Sequence, residues 1–389
     1  MGSFISFTKR IYTLFNPPTA PKFITPKPLK FGILGAANIA PLALINPAKS
    51  HPEVVVYAVG ARSLAKAQAF AKKHGIEKAY EGYQALLDDP EVDAVYNALP
   101  NGLHFEWTMK ALAAGKHVLN EKPSADTAEE TRQMFEFAEK KRLVMLDAYH
   151  YRFHPALKRA KAIIDSGELG AVKNITVDLM IPKGGFGDGD IRFDYSLGGG
   201  ALMDLGCYVI STLRYMSSAE PTSVVATTHT VYEPKSSAYA ESAKKVDRRM
   251  EATFGLPKDV TATIRCDLGM PPSYGFVPQF PRVGFVVECE LGKLEMINHV
   301  QPTFYHSITV KIRGGHTRVE KVYKGTEGKG EEWWSTYRYQ LEAFVDRLRD
   351  REPETWLSKE DSVATMEWIE KVYEKSGLGS RPKSTYVQE

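Results

Sequence analysis

The feature that most constrains this chain is a buried strand that leads directly into a turn of small residues and then a helix. Residues 30–34 (KFGIL) form a short apolar run, and residues 35–40 (GAANIA) follow without a break. The turn fits the dinucleotide fingerprint G-x-G-x-x-G/A at its first and last positions, while Ala37 replaces the second glycine. We interpret it as a dinucleotide-binding turn, with an ordinary strand-to-helix turn as the alternative. The predicted cofactor contacts here are Gly35, Ala37, Asn38 and Ile39.

Further short apolar strands alternate with helical segments through the first part of the chain. Candidate strands lie at 54–59 (VVVYAV), 94–98 (AVYNA) and 117–120 (HVLN). This alternation is typical of a doubly wound parallel sheet, whose ligands bind at the carboxyl ends of the strands. The segments that follow the last two strands, LPNGLH at 99–104 and EKP at 121–123, are therefore expected to face a cofactor. At 389 residues, the chain has room for a second domain.

The end of the second strand favours NADP over NAD. An NAD-binding fold places a carboxylate there to bind the ribose 2′-hydroxyl, whereas this sequence has Gly-Ala-Arg-Ser at 60–63. Arg62 offers a charge-assisted fork to a 2′-phosphate, and Lys66 lies one helical turn further on. Ser63 either binds the phosphate or caps the next helix. The alternative is a plain cap beside a solvated surface charge.

Five motifs together carry a resemblance to a known family. They are GILGAANIA, ALPNGLH, ALAAGKHVLNEKP, DAYHYRFHP and GGGALMDLGCY. In this order and spacing they resemble the Gfo/Idh/MocA oxidoreductases, within them the branch of D-xylose 1-dehydrogenases and dimeric dihydrodiol dehydrogenases. The resemblance implies an α/β Rossmann dinucleotide-binding domain and then an α+β domain with a large, mostly antiparallel open sheet. We expect an extension at 1–28, an NADP-binding domain at 29–150, and a substrate-binding and dimerisation domain at 151–389.

The resemblance also implies the chemistry. The family's catalytic lysine is that of EKP, Lys122 here, and its aspartate and tyrosine map onto Asp204 and Tyr208. The implied reaction is NADP-dependent oxidation of the C1 hydroxyl of an aldopyranose, with D-xylose as the first expectation. Alternatives are a trans-1,2-dihydrodiol dehydrogenase, another sugar dehydrogenase or reductase, and a non-catalytic NADP-sensing regulator. The remaining predicted contacts are Pro100, Asn101, His104, Glu121 and Lys122 for the cofactor, and His150, Arg152, Arg192, Phe193, Asp204 and Tyr208 for the substrate.

Elementary chemistry supports the same cluster. Glycines at 198–200 permit a tight entry into a helical segment, so Asp204 and Tyr208, four residues apart, share one face. A capping aspartate and a core tyrosine are the alternative. We expect Tyr208 to accept the hydroxyl proton, while Lys122 lowers the pKa of Tyr208 and stabilises the developing alkoxide. Because the two groups titrate as a coupled pair, Lys122 as the immediate proton acceptor stays open.

Composition argues against several other classes of function. The 50 Lys and Arg residues nearly balance the 47 Asp and Glu, so the net charge of +3 does not favour nucleic acid as a partner. Three cysteines far apart form neither a disulfide framework nor a zinc ribbon, and the histidines show no metal-binding spacing. No stretch approaches the ~18 apolar residues of a membrane span. We expect a cytoplasmic protein that acts on a small molecule without a metal, and the family resemblance implies a homodimer.

The first 28 residues allow three interpretations. Apolar side chains at helical spacing are Phe4, Phe7, Ile11, Leu14 and Phe15. They predict a short amphipathic helix docked on the protein body. MGSFIS at 1–6 also fits the N-myristoylation pattern, and a mitochondrial presequence is the third alternative.

Beyond residue 150 the sequence predicts one open sheet and two closing helices. The β-rich runs are 172–181, 222–232, 260–267, 283–290 and 307–313. Alternation such as SITVKI at 307–312 predicts strands with one buried face. Residues 233–250 read as a charged insertion, and 333–348 and 359–375 as amphipathic helices.

Overall fold

The computed structural model describes residues 2–187, 189–234, 240–325 and 329–388. These residues form two β-sheets with helices packed against them. The predicted fold class is confirmed, because a parallel Rossmann-type sheet precedes a larger, mostly antiparallel sheet. Residues 235–239 of the predicted charged insertion lie outside the described residues, as does Met1 of the myristoylation pattern.

The first sheet consists of parallel strands. They are β1 (Leu29–Leu34), β2 (Val54–Ala61), β3 (Lys78–Glu81), β4 (Ala94–Asn97), β5 (His117–Asn120) and β6 (Met145–Asp147). Their spatial order is β3-β2-β1-β4-β5-β6, which reverses direction between β1 and β4. Such a reversal opens a crevice at the carboxyl ends of the two neighbouring strands. The predicted cofactor segments follow β1, β2, β4 and β5, so all of them lie at this end of the sheet.

The second sheet has eight strands, three more than the sequence predicts. They are β7 (Val172–Pro182), β8 (Ser223–Val231), β9 (Asp247–Leu256), β10 (Val260–Met270), β11 (Arg282–Cys289), β12 (Gly292–Ile297), β13 (Ser307–Ile312) and β14 (Thr317–Glu320). The spatial order is β14-β13-β12-β11-β7-β10-β9-β8. Only the central pair of β7 and β10 is parallel among these strands. One face packs into the core, as the burial of Val177, Ile264 and Phe285 shows.

Helices join the two sheets as well as covering them. The α-helices are α1 (Gly2–Phe15), α2 (Asn46–Lys49), α3 (Leu64–His74), α4 (Gln84–Leu87), α5 (His104–Ala113), α6 (Ala128–Lys141), α7 (Pro155–Asp165), α8 (Cys207–Ser217), α9 (Ala240–Ala243), α10 (Thr336–Leu348) and α11 (Lys359–Ser376). Although α10 and α11 come last, α10 packs on α2 and α11 packs on α6, both in the first domain. In the part of the chain that the structure describes, no helix is long and apolar enough to cross a membrane.

The amino-terminal helix α1 docks on the second domain. Leu14 is buried, and the Arg10 guanidinium donates from Nε to the Thr303 carbonyl oxygen at 2.9 Å. The same guanidinium lies 3.7 Å from the centre of the Tyr323 ring, a cation–π contact. Lys22 in the following extended segment donates to carbonyl oxygens at the end of α2, in the first domain. The extension therefore contacts both domains.

The carboxyl-terminal tail fixes the glycine turn that precedes α8. Arg381 has no exposed side-chain surface, donates to the Gly199 carbonyl oxygen at 2.7 Å, and pairs with Asp247 at 2.8 Å. Asp247 also accepts hydrogen bonds from the Leu202 amide and from another buried side chain, the Tyr373 hydroxyl. A Cβ atom on Gly200 would meet Asp247 Oδ1 at 2.4 Å, and the φ of this glycine is +143°. Glycine is therefore required at this close approach.

We predict that Arg381→Met destabilises the fold by about 3 kcal/mol, because it leaves Asp247 buried without its cationic partner. The matched control is Lys244→Met, which breaks an ion pair with Glu241 whose side chains are 68% and 88% exposed. That control should change stability by no more than about 0.5 kcal/mol. Urea unfolding measures both variants, and equal midpoints would contradict the role given to Arg381.

Candidate active site

The turn after β1 has the shape that a dinucleotide pyrophosphate needs. Gly35 has φ +96°, and a Cβ atom there would lie 3.1 Å from a Leu99 methyl group. The chain then enters a helix that begins as a π-helical turn at Pro41–Ile45 and continues into α2. A helix that starts at the carboxyl end of a parallel sheet presents its first amides to an anion. Ala37, Asn38 and Ile39 lie in the open part of the turn.

The predicted phosphate-binding residues stand together at the end of β2. Arg62 and Lys66 are exposed, and Ser63 is the N-cap residue of α3. Among the described residues, the Ser63 hydroxyl makes no capping hydrogen bond to its own helix. Ser63 therefore stands at the N-cap position without a hydrogen bond from its side chain to the helix, and its phosphate contact stays a prediction.

The loop after β4 reaches the second domain. Asn101 donates from Nδ2 to the Gly198 carbonyl oxygen at 3.1 Å, and Pro100 beside it is partly exposed. His104 is completely buried, with both ring nitrogens 2.8 Å from carbonyl oxygens, those of Pro123 and Leu99. Burial lowers the pKa of His104 to about 4. The expected cofactor contact of His104 is thus corrected. Its buried ring connects the loops after β4 and β5 through hydrogen bonds to their carbonyl oxygens.

Polar side chains at three strand ends support the turn that carries Lys122. Asn97 donates to the Asn120 side-chain oxygen at 3.2 Å, and Asn120 donates to Asp147 Oδ1 at 3.1 Å and to the Ser124 carbonyl oxygen at 2.8 Å. These residues end or follow β4, β5 and β6. The Lys122-Pro123 peptide bond in this turn is cis. The network holds the lysine at the mouth of the crevice.

Lys122 and Asp204 form the centre of the site. Lys122 Nζ donates to Asp204 Oδ1 at 2.8 Å and to the Asp204 carbonyl oxygen at 2.9 Å. Arg192 Nε donates to the other carboxylate oxygen of Asp204, also at 2.8 Å. Burial alone would raise the pKa of Asp204, but the two cations lower it to about 2. Burial opposes the ammonium form of Lys122, yet the carboxylate of Asp204 raises the pKa of Lys122 overall.

Tyr208 follows Asp204 through an irregular helix start. The segment expected to be plainly helical is a π-helical turn at Leu202–Gly206, which continues into α8. π-Helical turns are frequent at functional sites. Lys122 Nζ lies 4.9 Å from the centre of the Tyr208 ring. The expectation that Lys122 lowers the pKa of Tyr208 is wrong for this structure, because burial raises that pKa well above its usual value.

A buried acid lies on the other side of Lys122. Glu121 accepts hydrogen bonds from the Tyr96 hydroxyl and, at 3.2 Å, from the Lys122 amide. Burial raises the pKa of Glu121. The Glu121 side chain is therefore a buried neighbour of Lys122. The predicted contact between Glu121 and the cofactor stays a prediction.

The predicted sugar contacts divide into two groups. Arg192 reaches the centre of the site through Asp204, and His150 lies 3.1 Å from the Tyr208 hydroxyl. Arg152 instead lies over the Tyr215 ring at 3.8 Å and approaches Asp361, and Phe193 stacks on the Tyr232 ring at 3.8 Å. The last two predicted contacts are corrected, because both side chains are buried in packing between elements.

Sequence reasoning missed two residues of the site. Thr336 lies 2.8 Å from His150 Nδ1, and the Tyr337 ring lies 3.9 Å from the His150 ring. Both come from the start of α10, which the sequence placed at the end of the chain as a closing helix. The only local sequence signal near these residues is Ser335, which caps α10. A capping residue indicates where a helix begins but not which residues the helix packs against.

No metal centre is evident in the described ranges, where no group of three or more His, Cys, Asp or Glu is placed to hold an ion. The site instead combines an ammonium group, a carboxylate and a phenol at the carboxyl ends of a Rossmann sheet. Fold and site together define the class of two-domain dinucleotide-dependent oxidoreductases.

Comparison with known families narrows this class. Residues 29–149 match the oxidoreductase family with an NAD-binding Rossmann fold, GFO_IDH_MocA, and residues 157–295 match the GFO/IDH/MocA C-terminal domain. The chain therefore belongs to the Gfo/Idh/MocA family of oxidoreductases, as the motifs predicted.

Several characterised proteins are similar to this chain. The NADP-dependent D-xylose 1-dehydrogenase 2 of Haloferax volcanii is 34% identical over 356 residues, which cover 90% of this chain and 98% of that relative. The trans-1,2-dihydrobenzene-1,2-diol dehydrogenase of Xenopus tropicalis is 32% identical over 207 residues, covering 51% of this chain and 59% of that protein.

Solved structures share the fold. A 3-ketoreductase from Actinomadura kijaniata, crystallised with NADP and TDP-benzene, has a TM-score of 0.75 at 23% identity, covering 93% of this chain and 100% of its own. Levoglucosan dehydrogenase in complex with NADH and levoglucosan has a TM-score of 0.76 at 20% identity, covering 92% and 100%. At these identities the likeness supports the fold alone.

We predict that Asp204→Asn lets Lys122 lose its proton at lower pH, because the amide no longer stabilises the ammonium group. Acetylation of Lys122 across a pH series, read by peptide mass spectrometry, should begin at lower pH than in the unchanged protein. Asp190→Asn is the matched control, since Asp190 pairs with Arg192 at 3.0 Å but is not a partner of Lys122. An unchanged onset in Asp204→Asn would contradict this account of the ion pair.

Proposed function

We propose that this protein oxidises the C1 hydroxyl of an aldopyranose with NADP, and that D-xylose is its substrate. The observation that carries the proposal is the Lys122–Asp204 ion pair, whose ammonium group lies against Tyr208 at the mouth of the cofactor crevice. Oxidation of an alcohol needs a proton acceptor and a cation beside the same oxygen, and this cluster supplies both.

The reaction breaks two bonds of the sugar. When bound, NADP supplies the carbon that accepts the hydride and its two electrons from the C1–H bond. The proton of the C1 hydroxyl passes to the Tyr208 oxygen, and C1 becomes the carbonyl carbon of a lactone. Lys122 stabilises the negative charge that develops on the hydroxyl oxygen. Since Asp204 keeps Lys122 protonated, we assign proton acceptance to Tyr208 rather than to the lysine.

The pH dependence of the reaction follows from the same groups. Tyr208 accepts a proton only when it is ionised, and burial raises the pKa of Tyr208 well above its usual value. Oxidation should therefore accelerate with rising pH, whereas reduction of the lactone needs the protonated phenol and should not. Glu121 and Asp204 add to the rise in the pKa of Tyr208, and the His150 ring lies beside the phenol.

D-Xylose is favoured over a dihydrodiol by the extent of similarity. The relative that acts on D-xylose matches this chain over 98% of its own length, whereas the dihydrodiol dehydrogenase matches over 59%. The polar residues around the site, Arg192 and Asp204 among them, also suit a substrate with several hydroxyl groups. A dihydrodiol needs an apolar wall for its ring.

We place the cofactor along the carboxyl ends of β1, β2 and β4. Gly35, Ala37, Asn38 and Ile39 bind the pyrophosphate, and Pro100 and Asn101 line the nicotinamide side. Arg62, Ser63 and Lys66 bind the 2′-phosphate of NADP at the end of β2, where no carboxylate repels it.

The remaining proposals concern assembly and location. We propose a homodimer through the open face of the second sheet, where Arg265 pairs with Asp178 and the neighbouring β11 exposes Arg282. A face with both signs of charge can match a second copy of itself.

The division at residues 28 and 150 and a cytoplasmic location are further proposals. For location, support comes from Cys207, Cys266 and Cys289, which are free and buried. Myristoylation stays a prediction.

Arg62→Ala should raise the KM for NADP by about ten- to hundredfold and leave the KM for NAD unchanged, because only NADP carries the 2′-phosphate. Lys73→Ala is the control, since it removes an equally exposed cation from the other end of α3. Initial rates with both cofactors measure the effect. A parallel rise in both KM values would contradict the phosphate role.

Tyr208→Phe should lower kcat for sugar oxidation by about 10² to 10⁴ and leave NADP affinity unchanged, because only the proton acceptor is lost. NADPH formation with D-xylose, D-glucose and a trans-dihydrodiol measures turnover, and fluorescence titration measures binding. Full turnover of Tyr208→Phe would remove Tyr208 from the chemistry. An unchanged protein that binds NADP but turns over none of these compounds would instead favour the regulator alternative.

A further inference from the structure

The Tyr208 hydroxyl is the first member of a buried hydrogen-bonded chain. His150 Nε2 lies 3.1 Å from the Tyr208 oxygen, and His150 Nδ1 lies 2.8 Å from Thr336 Oγ1. His150 is 1% exposed and Thr336 is fully buried. The three residues come from α8, from the 3₁₀ turn at His150–Phe153 and from the start of α10. The fold therefore brings together three elements that are far apart in sequence.

The histidine ring is held in one orientation. The Tyr337 ring covers it at 3.9 Å with an angle of 32° between the planes, and the Tyr151 and Tyr208 rings meet it edge-on. A ring fixed on its face and at both nitrogens has no room to flip. Each nitrogen keeps the partner that the structure shows.

A neutral imidazole has one N–H donor and one acceptor, so the hydrogen bonds among Thr336, His150 and Tyr208 all run in one direction. Burial, with the charge of Lys122 nearby, lowers the pKa of His150 well below its usual value, so the ring is neutral. If Nδ1 carried the proton, Nε2 would accept the hydrogen bond of the Tyr208 hydroxyl, so that hydrogen would point at the ring and an ionised Tyr208 would face an unprotonated nitrogen. If Thr336 donates to Nδ1, then Nε2 carries the proton and donates to the Tyr208 oxygen without any new charge.

We infer that Thr336 and His150 are positioning residues for Tyr208: the Thr336 hydroxyl fixes the Nε2–H tautomer of His150, and this N–H orients the phenol oxygen and stabilises its ionised form. The inference rests on the proposed function, in which Tyr208 acts as the base. The tautomer itself is a property of the protein without any substrate.

This arrangement explains how a buried phenol can serve as a base. The groups that face Tyr208 from the packed elements are Glu121, Lys122, Tyr149, His150, Tyr151, Asp204, Cys207 and Tyr337. Lys122 Nζ faces the Tyr208 ring and donates two hydrogen bonds to Asp204, and it makes none to the phenol oxygen in the part of the chain that the structure describes. The His150 N–H is placed to provide one. It also leaves the hydroxyl hydrogen free to point at a substrate oxygen.

The first test needs no substrate. Long-range ¹H–¹⁵N correlation spectra of the histidine-labelled full-length protein distinguish the two neutral tautomers, and the His150→Gln spectrum identifies the signals of His150. We expect the Nε2–H tautomer in the unchanged protein, loss of its predominance in Thr336→Val, and its return in Thr336→Ser, which keeps the hydroxyl. An Nδ1–H tautomer in the unchanged protein would overturn the inference.

The second test follows kcat for sugar oxidation against pH. In Thr336→Val the rising limb of the curve of kcat against pH should move to higher pH. At pH 7 kcat should fall about fivefold, because the hydrogen bond from His150 to the phenolate is weakened. Thr336→Ser should move the limb back. Thr131→Val is the matched control: Thr131 is equally buried, and its hydroxyl donates to the carbonyl oxygen of Thr127, the residue that caps α6. The control should keep the limb of the unchanged protein.

The outcomes separate the inference from the proposed function. If the limb of Thr336→Val stays in place while KM rises, the residue only shapes the pocket and the inference is overturned. If no sugar or diol is turned over, the proposed function fails, and the tautomer measurement alone decides the inference. Should Thr336→Val unfold, His150→Gln with the same pH series replaces it. An unmoved limb in that variant contradicts the inference equally.

Discussion

The ion pair between Lys122 and Asp204 is the interaction on which the rest of this structure depends. It joins the end of β5 in the first domain to the helix start of α8 in the second, with 2.8 Å between the charged atoms. Both side chains are mostly buried, so each would be costly to hold without the other. Arg192 satisfies the second oxygen of Asp204, and strand-end amides fix the lysine turn. The charges of Lys122 and Asp204 are thus set before any ligand arrives.

The ion pair between Lys122 and Asp204 is not the only contact that holds the two domains together. Helices α10 and α11 return from the second domain to pack on α2 and α6 of the first, and the tail continues until Ser384 donates to Glu130. On the way Arg381 holds the glycine turn that leads into Asp204. The amino-terminal helix ties the same domains from another side through Arg10 and Lys22. Both terminal segments therefore contact both domains.

Local patterns in the sequence predicted the parallel sheet and the small-residue turn after β1, because apolar runs and glycine spacing are local signals. The roles of Lys122, Asp204 and Tyr208 were implied by the family resemblance, and the structure brings these three residues together. The local patterns missed β9, β12 and β14. Most of β9 fell in the predicted insertion at 233–250, because charged residues such as Arg248 and Arg249 occur there beside buried positions. Long-range partners were also missed. Thr336 and Arg381 acquire their roles from helices and tails that return across the chain, and burial, rather than proximity to Lys122, sets the pKa of Tyr208.

The central claim is that this site removes hydride from C1 of an aldopyranose. It is tested most directly with D-xylose that carries deuterium only at C1, incubated with NADP and the unchanged protein, followed by mass spectrometry and NMR of the reduced cofactor. The account predicts deuterium at C4 of the nicotinamide ring, together with xylonolactone and a slower rate than with ordinary xylose. Reduced cofactor without deuterium would show that hydride leaves from another carbon, and would contradict the account.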